Sequence, residues 1–132
     1  MNEKLIIENP MNEKLVTRED ERGKLTEIFK IPNVGQVFYV TSVPGAVRGD
    51  HYHTRKIESF CVIEGKGKIS MRNRESGETK EYIVSGSQPE IAEMPINWTH
   101  NIKNIGEGEM KLIVWVNEVF DPADPDTHPE KV

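Results

Sequence analysis

The sequence predicts an all-β domain, a sandwich or barrel, and three observations carry that prediction. Apolar residues recur with period two in short runs, the mark of half-buried strands. Turn signals rich in Gly, Pro, Asn and Asp separate these runs at intervals of roughly eight to twelve residues. No long stretch keeps a 3.6-residue period, so no helix beyond about three turns is expected. The chain has 132 residues, 36% of them hydrophobic, enough for one domain that buries its own core.

The elements follow in order. Residues 1–22 read as an N-terminal extension or strand, in which Met1-Asn2-Glu3-Lys4-Leu5 recurs as Met11-Asn12-Glu13-Lys14-Leu15. Two copies do not make a solenoid; a duplicated start or a lengthened strand explains them. Asp20-Glu21-Arg22-Gly23 is a turn into a strand over 24–31, and Pro32-Asn33-Val34-Gly35 precedes another over 36–41. Val43-Pro44-Gly45 breaks the chain before a strand over 47–53. Residues 58–63 are aromatic and β-branched, and the turn from Gly65 to Gly67 leads into 68–72. Glu75-Ser76-Gly77-Glu78 forms a hairpin tip ahead of 80–84. Runs at 91–94, 99–104 and 110–119 complete the set, with Gly106-Glu107-Gly108 between the last two. The barrel therefore occupies 23–120. Residues 121–132 form a proline-rich tail that cannot be sheet interior, and it is expected over the outside of the barrel or over a neighbouring subunit.

Charge and composition narrow the function. Seventeen Lys and Arg against 22 Asp and Glu give a net charge of −5 without a basic block, which argues against nucleic-acid binding. The longest apolar run, Leu112-Ile113-Val114-Trp115-Val116, is far too short for a membrane span, and the N-terminus lacks the pattern of a signal peptide. The single cysteine, Cys61, fits a reducing cytoplasm and reads as an inert mid-strand thiol. No G-x-G-x-x-G or phosphate-loop motif is present, so neither a dehydrogenase nor a kinase is expected.

The chemistry concentrates in His51, His53, Glu58 and His100. His51 and His53 stand two apart, so both imidazoles project from one face of a strand. Glu58 follows after room for a tight turn, and His100 sits in a later strand. Three imidazoles and a carboxylate are a common ligand set for a divalent first-row metal with coordination positions left over. A lone strand histidine is more often structural, but three of the chain's four histidines in this pattern favour metal; His128, in the tail, is expected to face solvent.

These residues lie in recognisable motifs. Gly49-Asp50-His51-Tyr52-His53-Thr54-Arg55-Lys56-Ile57-Glu58, followed by Gly65, resembles the first motif of the cupin superfamily. Pro95-Ile96-Asn97-Trp98-Thr99-His100, followed by Asn104, resembles the second, with Asn97 in place of the usual glycine. Asparagine tolerates positive φ, so the turn survives. The spacing to Pro95 departs from the general pattern and suggests an insertion around Gly86-Ser87-Gln88-Pro89. Arg48, Val84-Ser85-Gly86, Trp98-Thr99-His100-Asn101-Ile102 and 115–122 sharpen the resemblance to the C-terminal cupin domains of bifunctional capsular-polysaccharide nucleotide-sugar reductases, over about 23–127.

That resemblance implies a single cupin domain, a double-stranded β-helix or jelly-roll barrel, which binds Zn²⁺ and epimerises C3 of a UDP- or dTDP-linked 4-keto-6-deoxy sugar. It implies metal ligation by His51, His53, Glu58 and His100, with His53 as fourth ligand or general base. Tyr52 and Tyr39 are candidate proton donors. Arg48, Arg55 and Lys56 are candidate partners of the nucleotide-sugar pyrophosphate, and Trp98 either stacks on a ring of the substrate or caps the barrel. A homodimer is expected, with the apolar Leu5-Ile6-Ile7 on a neighbour, and a separate reductase is a candidate partner. Two other functions fit the same fold and ligands: a cupin oxygenase with a redox metal, and a non-catalytic sugar-binding module that partners a reductase.

Overall fold

The computed structural model describes residues 15–132, which fold into eleven strands and no helix. They are β1 (Thr17–Asp20), β2 (Gly23–Ile31), β3 (Gly35–Ser42), β4 (Val47–Tyr52), β5 (Glu58–Glu64) and β6 (Lys66–Asn73). After these come β7 (Thr79–Ser85), β8 (Ala92–Met94), β9 (Trp98–Asn104), β10 (Met110–Val116) and β11 (His128–Pro129). Two antiparallel sheets result, one ordered β1-β2-β3-β10-β5-β8 and the other β11-β4-β9-β6-β7. No helix of the described chain is long and apolar enough to cross a membrane. Leu5-Ile6-Ile7, expected on a neighbour, lies outside the described residues.

The core forms where the inner faces of the sheets meet. Val40, Phe60, Val62, Leu112 and Val114 come from one sheet and Ile69, Met71 and Ile102 from the other, all buried. Their alternation along each strand is the period-two pattern of the sequence. The odd neighbours point outward: Cys61 lies between the buried Phe60 and Val62 and opposite Ile113, so it is half-buried on the outer face rather than in the core.

Two local features, at Gly67 and in the tail, differ from the sequence reading, whereas the strand in the N-terminal extension is one of its stated alternatives. Gly65 alone makes the β5–β6 turn, at φ +88°, whereas Gly67 is a β6 residue facing the core. A Cβ on Gly67 would meet the Met110 sulfur at 2.8 Å, so this glycine serves close packing and not chain reversal. Part of the N-terminal extension is a strand: β1 pairs with β2 through a turn in which Asp20 accepts the Arg22 backbone N–H at 2.9 Å. The tail is also more than a loose cover, since His128 and Pro129 add an edge strand to β4. Asn97 takes the positive φ expected of it, 59°.

Candidate metal centre and substrate cavity

The four expected ligands converge. His51, His53, Glu58 and His100 place one ligand atom each within 4.8 Å of one another. Glu58 Oε1 lies 2.7 Å from His53 Nε2, 3.1 Å from His100 Nε2 and 3.9 Å from His51 Nε2. The glutamate begins β5 in one sheet, whereas His51 and His100 belong to β4 and β9 of the other and His53 directly follows β4, so the cluster bridges the barrel.

Backbone geometry aims the donors. β4 carries a bulge between Gly49 and His51, where Gly49 and Asp50 take φ of 100° and 57°. The extra residue lets Arg48 and His51, three apart, face the same interior. A Cβ on Gly49 would stand 2.8 Å from the His100 carbonyl oxygen, so only glycine permits this approach of β4 to β9.

The second nitrogens of two imidazoles are already engaged. His53 Nδ1 lies 2.6 Å from the Asp126 carbonyl oxygen and His100 Nδ1 lies 3.2 Å from that of Trp98. Each is an Nδ1–H donor to a carbonyl, which leaves Nε2 to face the cluster centre. That is the outer-shell arrangement of a histidine metal ligand. Three imidazoles and a carboxylate, oriented in this way, fit a divalent ion of the zinc type.

Electrostatics bind the cluster together. Burial alone would raise the Glu58 pKa, but hydrogen bonds from the imidazoles, His100 foremost, hold it well below the usual carboxyl range. Burial likewise disfavours protonated His53, yet the Glu58 hydrogen bond outweighs it and raises the pKa. For His51 burial wins and lowers it.

Three of the cluster's residues, His51, His53 and Glu58, form part of the wall of a cavity of about 270 Å³ between the sheets. Phe38, Val40, Phe60, Leu112 and Val114 make much of its wall apolar. Arg18, Arg22, Arg48 and Lys56 line it as well, with Glu58 and Glu118. Arg48 donates to Ser42 Oγ and the Thr41 carbonyl, at 3.0 and 2.9 Å, so its head is fixed in place. Burial, and then the neighbouring Arg22, lowers its pKa, two penalties that a bound anion would offset. Lys56 is only 5% exposed and lies 5.4 Å over the Phe120 ring, while Arg18 lies 5.5 Å from the same ring.

Four expected site residues lie off this cavity. Tyr39 alternates with the lining residues Phe38 and Val40, so its ring faces the other side of the sheet. Tyr52, between His51 and His53, turns outward onto His128 at 4.9 Å and Arg74 at 3.8 Å. His128 is exposed, as expected, and also stacks on Tyr52. Arg55 pairs with Glu118 and Asp124, and Trp98 packs on the core beside Lys80, the capping arrangement. Arg18 was missed because β1 reads as polar throughout and shows no alternation, and Arg22 because it sits in the turn that follows. Asp126 was missed because a proline-rich tail gives no sign of return contacts.

Comparisons with known proteins agree with this architecture. Residues 18–128 match the family described as Polysaccharide biosynthesis C-terminal domain. Over 109 residues the chain is 41% identical to the UDP-2-acetamido-2,6-beta-L-arabino-hexul-4-ose reductase of Pseudomonas aeruginosa, covering 83% of this chain and 29% of that relative. It therefore spans less than a third of that protein's length. At 26% identity over 124 residues it resembles the Haloferax volcanii protein named "Probable low-salt glycan biosynthesis epimerase Agl13", covering 85% and 80% of the two chains. Among solved structures, the capsular polysaccharide assembling protein CapF of Staphylococcus aureus superposes with a TM-score of 0.87 at 44% identity, over 92% of this chain and 35% of CapF. Bacillus subtilis oxalate decarboxylase, at 18% identity and a TM-score of 0.74 over 86% of this chain and 30% of its own, shares the fold, a cupin-type barrel. The family match runs from β1 to the first residue of β11 and takes in both sheets and the whole cluster, and the chain thus belongs to the Polysaccharide biosynthesis C-terminal domain family.

Proposed function

We propose that this protein is a metal-dependent epimerase acting at C3 of a UDP- or dTDP-linked 4-keto-6-deoxy sugar in surface-polysaccharide synthesis. The observation that carries this reading is the four-donor cluster, three of whose members, His51, His53 and Glu58, line a cavity that also holds Lys56 and three arginines. The names of the relatives, a nucleotide-sugar reductase and a glycan biosynthesis epimerase, support the substrate class and the reaction type.

Epimerisation beside a ketone breaks the C3–H bond, leaves the electron pair on the carbonyl oxygen as an enolate, and returns a proton to the opposite face. A divalent ion, Zn²⁺ in the first instance, held by His51, His53, Glu58 and His100 would supply Lewis-acid polarisation of that carbonyl. The protein's own groups bind and move the rest. Arg18, Arg22 and Arg48, which line the cavity, would receive the diphosphate, and Arg's planar fork suits it. Both nitrogens of His53 are engaged, which favours its role as fourth ligand over that of a mobile base. Removal of the C3 proton then falls to Lys56, a buried amino group on the cavity wall outside the ligand set, which would take it as the free amine, while water supplies the proton returned to the opposite face.

The test is solvent exchange. Zinc-loaded protein, given a UDP-4-keto-6-deoxy sugar in D₂O without NADPH, should place deuterium at C3 as read by NMR. Chelation should stop the exchange, and Lys56→Met should slow it roughly 100-fold or more while metal content stays stoichiometric. Oxygen consumption without exchange would overturn the reading in favour of an oxygenase. Binding without either would favour a sugar-binding module.

A further inference from the structure

Asp126 is 4% exposed, an unusual depth for a carboxylate in a proline-rich tail. Its two oxygens gather four donors from one loop. Oδ1 accepts the Thr54 hydroxyl at 2.7 Å and the Thr54 backbone N–H at 3.0 Å. Oδ2 accepts the backbone N–H groups of Arg55 and Lys56, at 2.8 and 3.0 Å. These residues are the segment between the ligands His53 and Glu58. The same residue's backbone carbonyl takes the His53 Nδ1–H at 2.6 Å. Asp126 holds φ at 48°, a left-handed conformation that turns carbonyl and carboxylate toward the loop together.

We infer that Asp126 is a positioning residue for the metal centre: its carboxylate organises the Thr54–Lys56 loop, and its carbonyl fixes the tautomer and orientation of His53. The inference rests on the metal-dependent reading above. One residue of the tail thereby sets both the donor nitrogen of His53 and the place of Lys56 on the cavity wall. Three consecutive backbone N–H groups have no other acceptor than this carboxylate among the described residues, and a neutral or absent side chain leaves donors buried and unmet. An Asn at 126 keeps the left-handed backbone but turns an NH₂ toward N–H groups. A Gly keeps the backbone option and removes the side chain altogether.

The experiment compares the full chain with D126N, D126G and Thr54→Val. Zinc affinity is measured by competition with a chelating dye, and the imidazole resonances of the metal-free protein are read by NMR. D126G should bind zinc roughly 10- to 100-fold more weakly, the usual cost of losing an outer-shell partner, with D126N and T54V intermediate. In the metal-free protein the His53 Nδ1–H signal, slow to exchange in the parent, should broaden or vanish in D126G while that of His100 stays. A zinc affinity within twofold of the parent and an unchanged His53 signal in D126N and D126G would overturn the inference. If D126G does not fold, D126N and T54V decide by the same readouts. A parent chain that binds no zinc would sink the metal reading, and the His53 signal would still decide the role of Asp126.

Discussion

At the scale of single residues, Asp126 and Glu58 are carboxylates whose charged forms the fold prefers. For Asp126 burial acts against the charge, but hydrogen bonds from Thr54 and from the Thr54, Arg55 and Lys56 amides overcome it and hold the pKa far below the ordinary aspartate value. A carboxyl depressed in the folded state stabilises the protein above its unfolded pKa, about 3.9, and that contribution is lost as pH falls through the folded value. The difference in Tm between the metal-free parent and Asp126→Asn should therefore be full at pH 6–7 and shrink steadily below about pH 4. A difference that is constant from pH 7 to pH 3 would show that the carboxylate charge contributes nothing. None of this was legible from the sequence. His51, His53 and Glu58 could be picked out because strand periodicity and ligand chemistry act over short spacing, and His100 because it ends a recognisable second motif, whereas Asp126 acts on a loop some seventy positions away with no motif around it.

At the scale of elements, the strands were readable where one face is buried and unreadable where neither is. β3, β5 and β10 alternate because their inner residues meet the core, and the expected limits lie close to the observed ones. β1 is exposed along its whole length and exists because Asp20 and Gly23 close a two-residue turn back onto β2. Tyr39 and Tyr52 show the converse: their strands are as expected, and the alternation within those strands turns both rings away from the cavity. The β1–β2 hairpin matters because it delivers Arg18 and Arg22 to the cavity. Both are partly committed elsewhere, Arg18 to Glu27 at 3.0 Å and Arg22 to Asp20, so each retains its place by an ion pair. Arg22→Ala should weaken UDP binding several-fold, and the loss should fade as salt rises toward 1 M, because exposed charge is screened within about 3 Å there. Zinc content should not change. Calorimetry showing equal UDP affinity at low salt for parent and variant would remove the hairpin from the binding site.

At the scale of the whole molecule, the cluster joins elements that the chain keeps far apart. Glu58 opens β5 in one sheet, His51 and His100 are paired across β4 and β9 of the other, and His53 reaches the tail through Asp126. A single ion held by these four residues ties two sheets and the C-terminal segment into one unit, in a fold whose core otherwise supplies the contact between them. Ligand binding to the folded state alone stabilises it by RT ln(1 + [L]/Kd), or about 2.7 kcal/mol when the free ion is a hundredfold above Kd. For a domain of this size that corresponds to a rise in Tm on the order of 10 °C. His100→Ala removes the most buried donor and should abolish the rise. Glu58→Gln keeps a neutral acceptor in place but no longer offsets the ion's charge, so it should retain only a fraction of the rise. Cys61→Ser, on the outer face of β5, should leave it intact. Calorimetric scans at matched free zinc distinguish these cases: an equal shift in parent and His100→Ala would mean that zinc stabilises the protein from somewhere other than the bridge between the sheets.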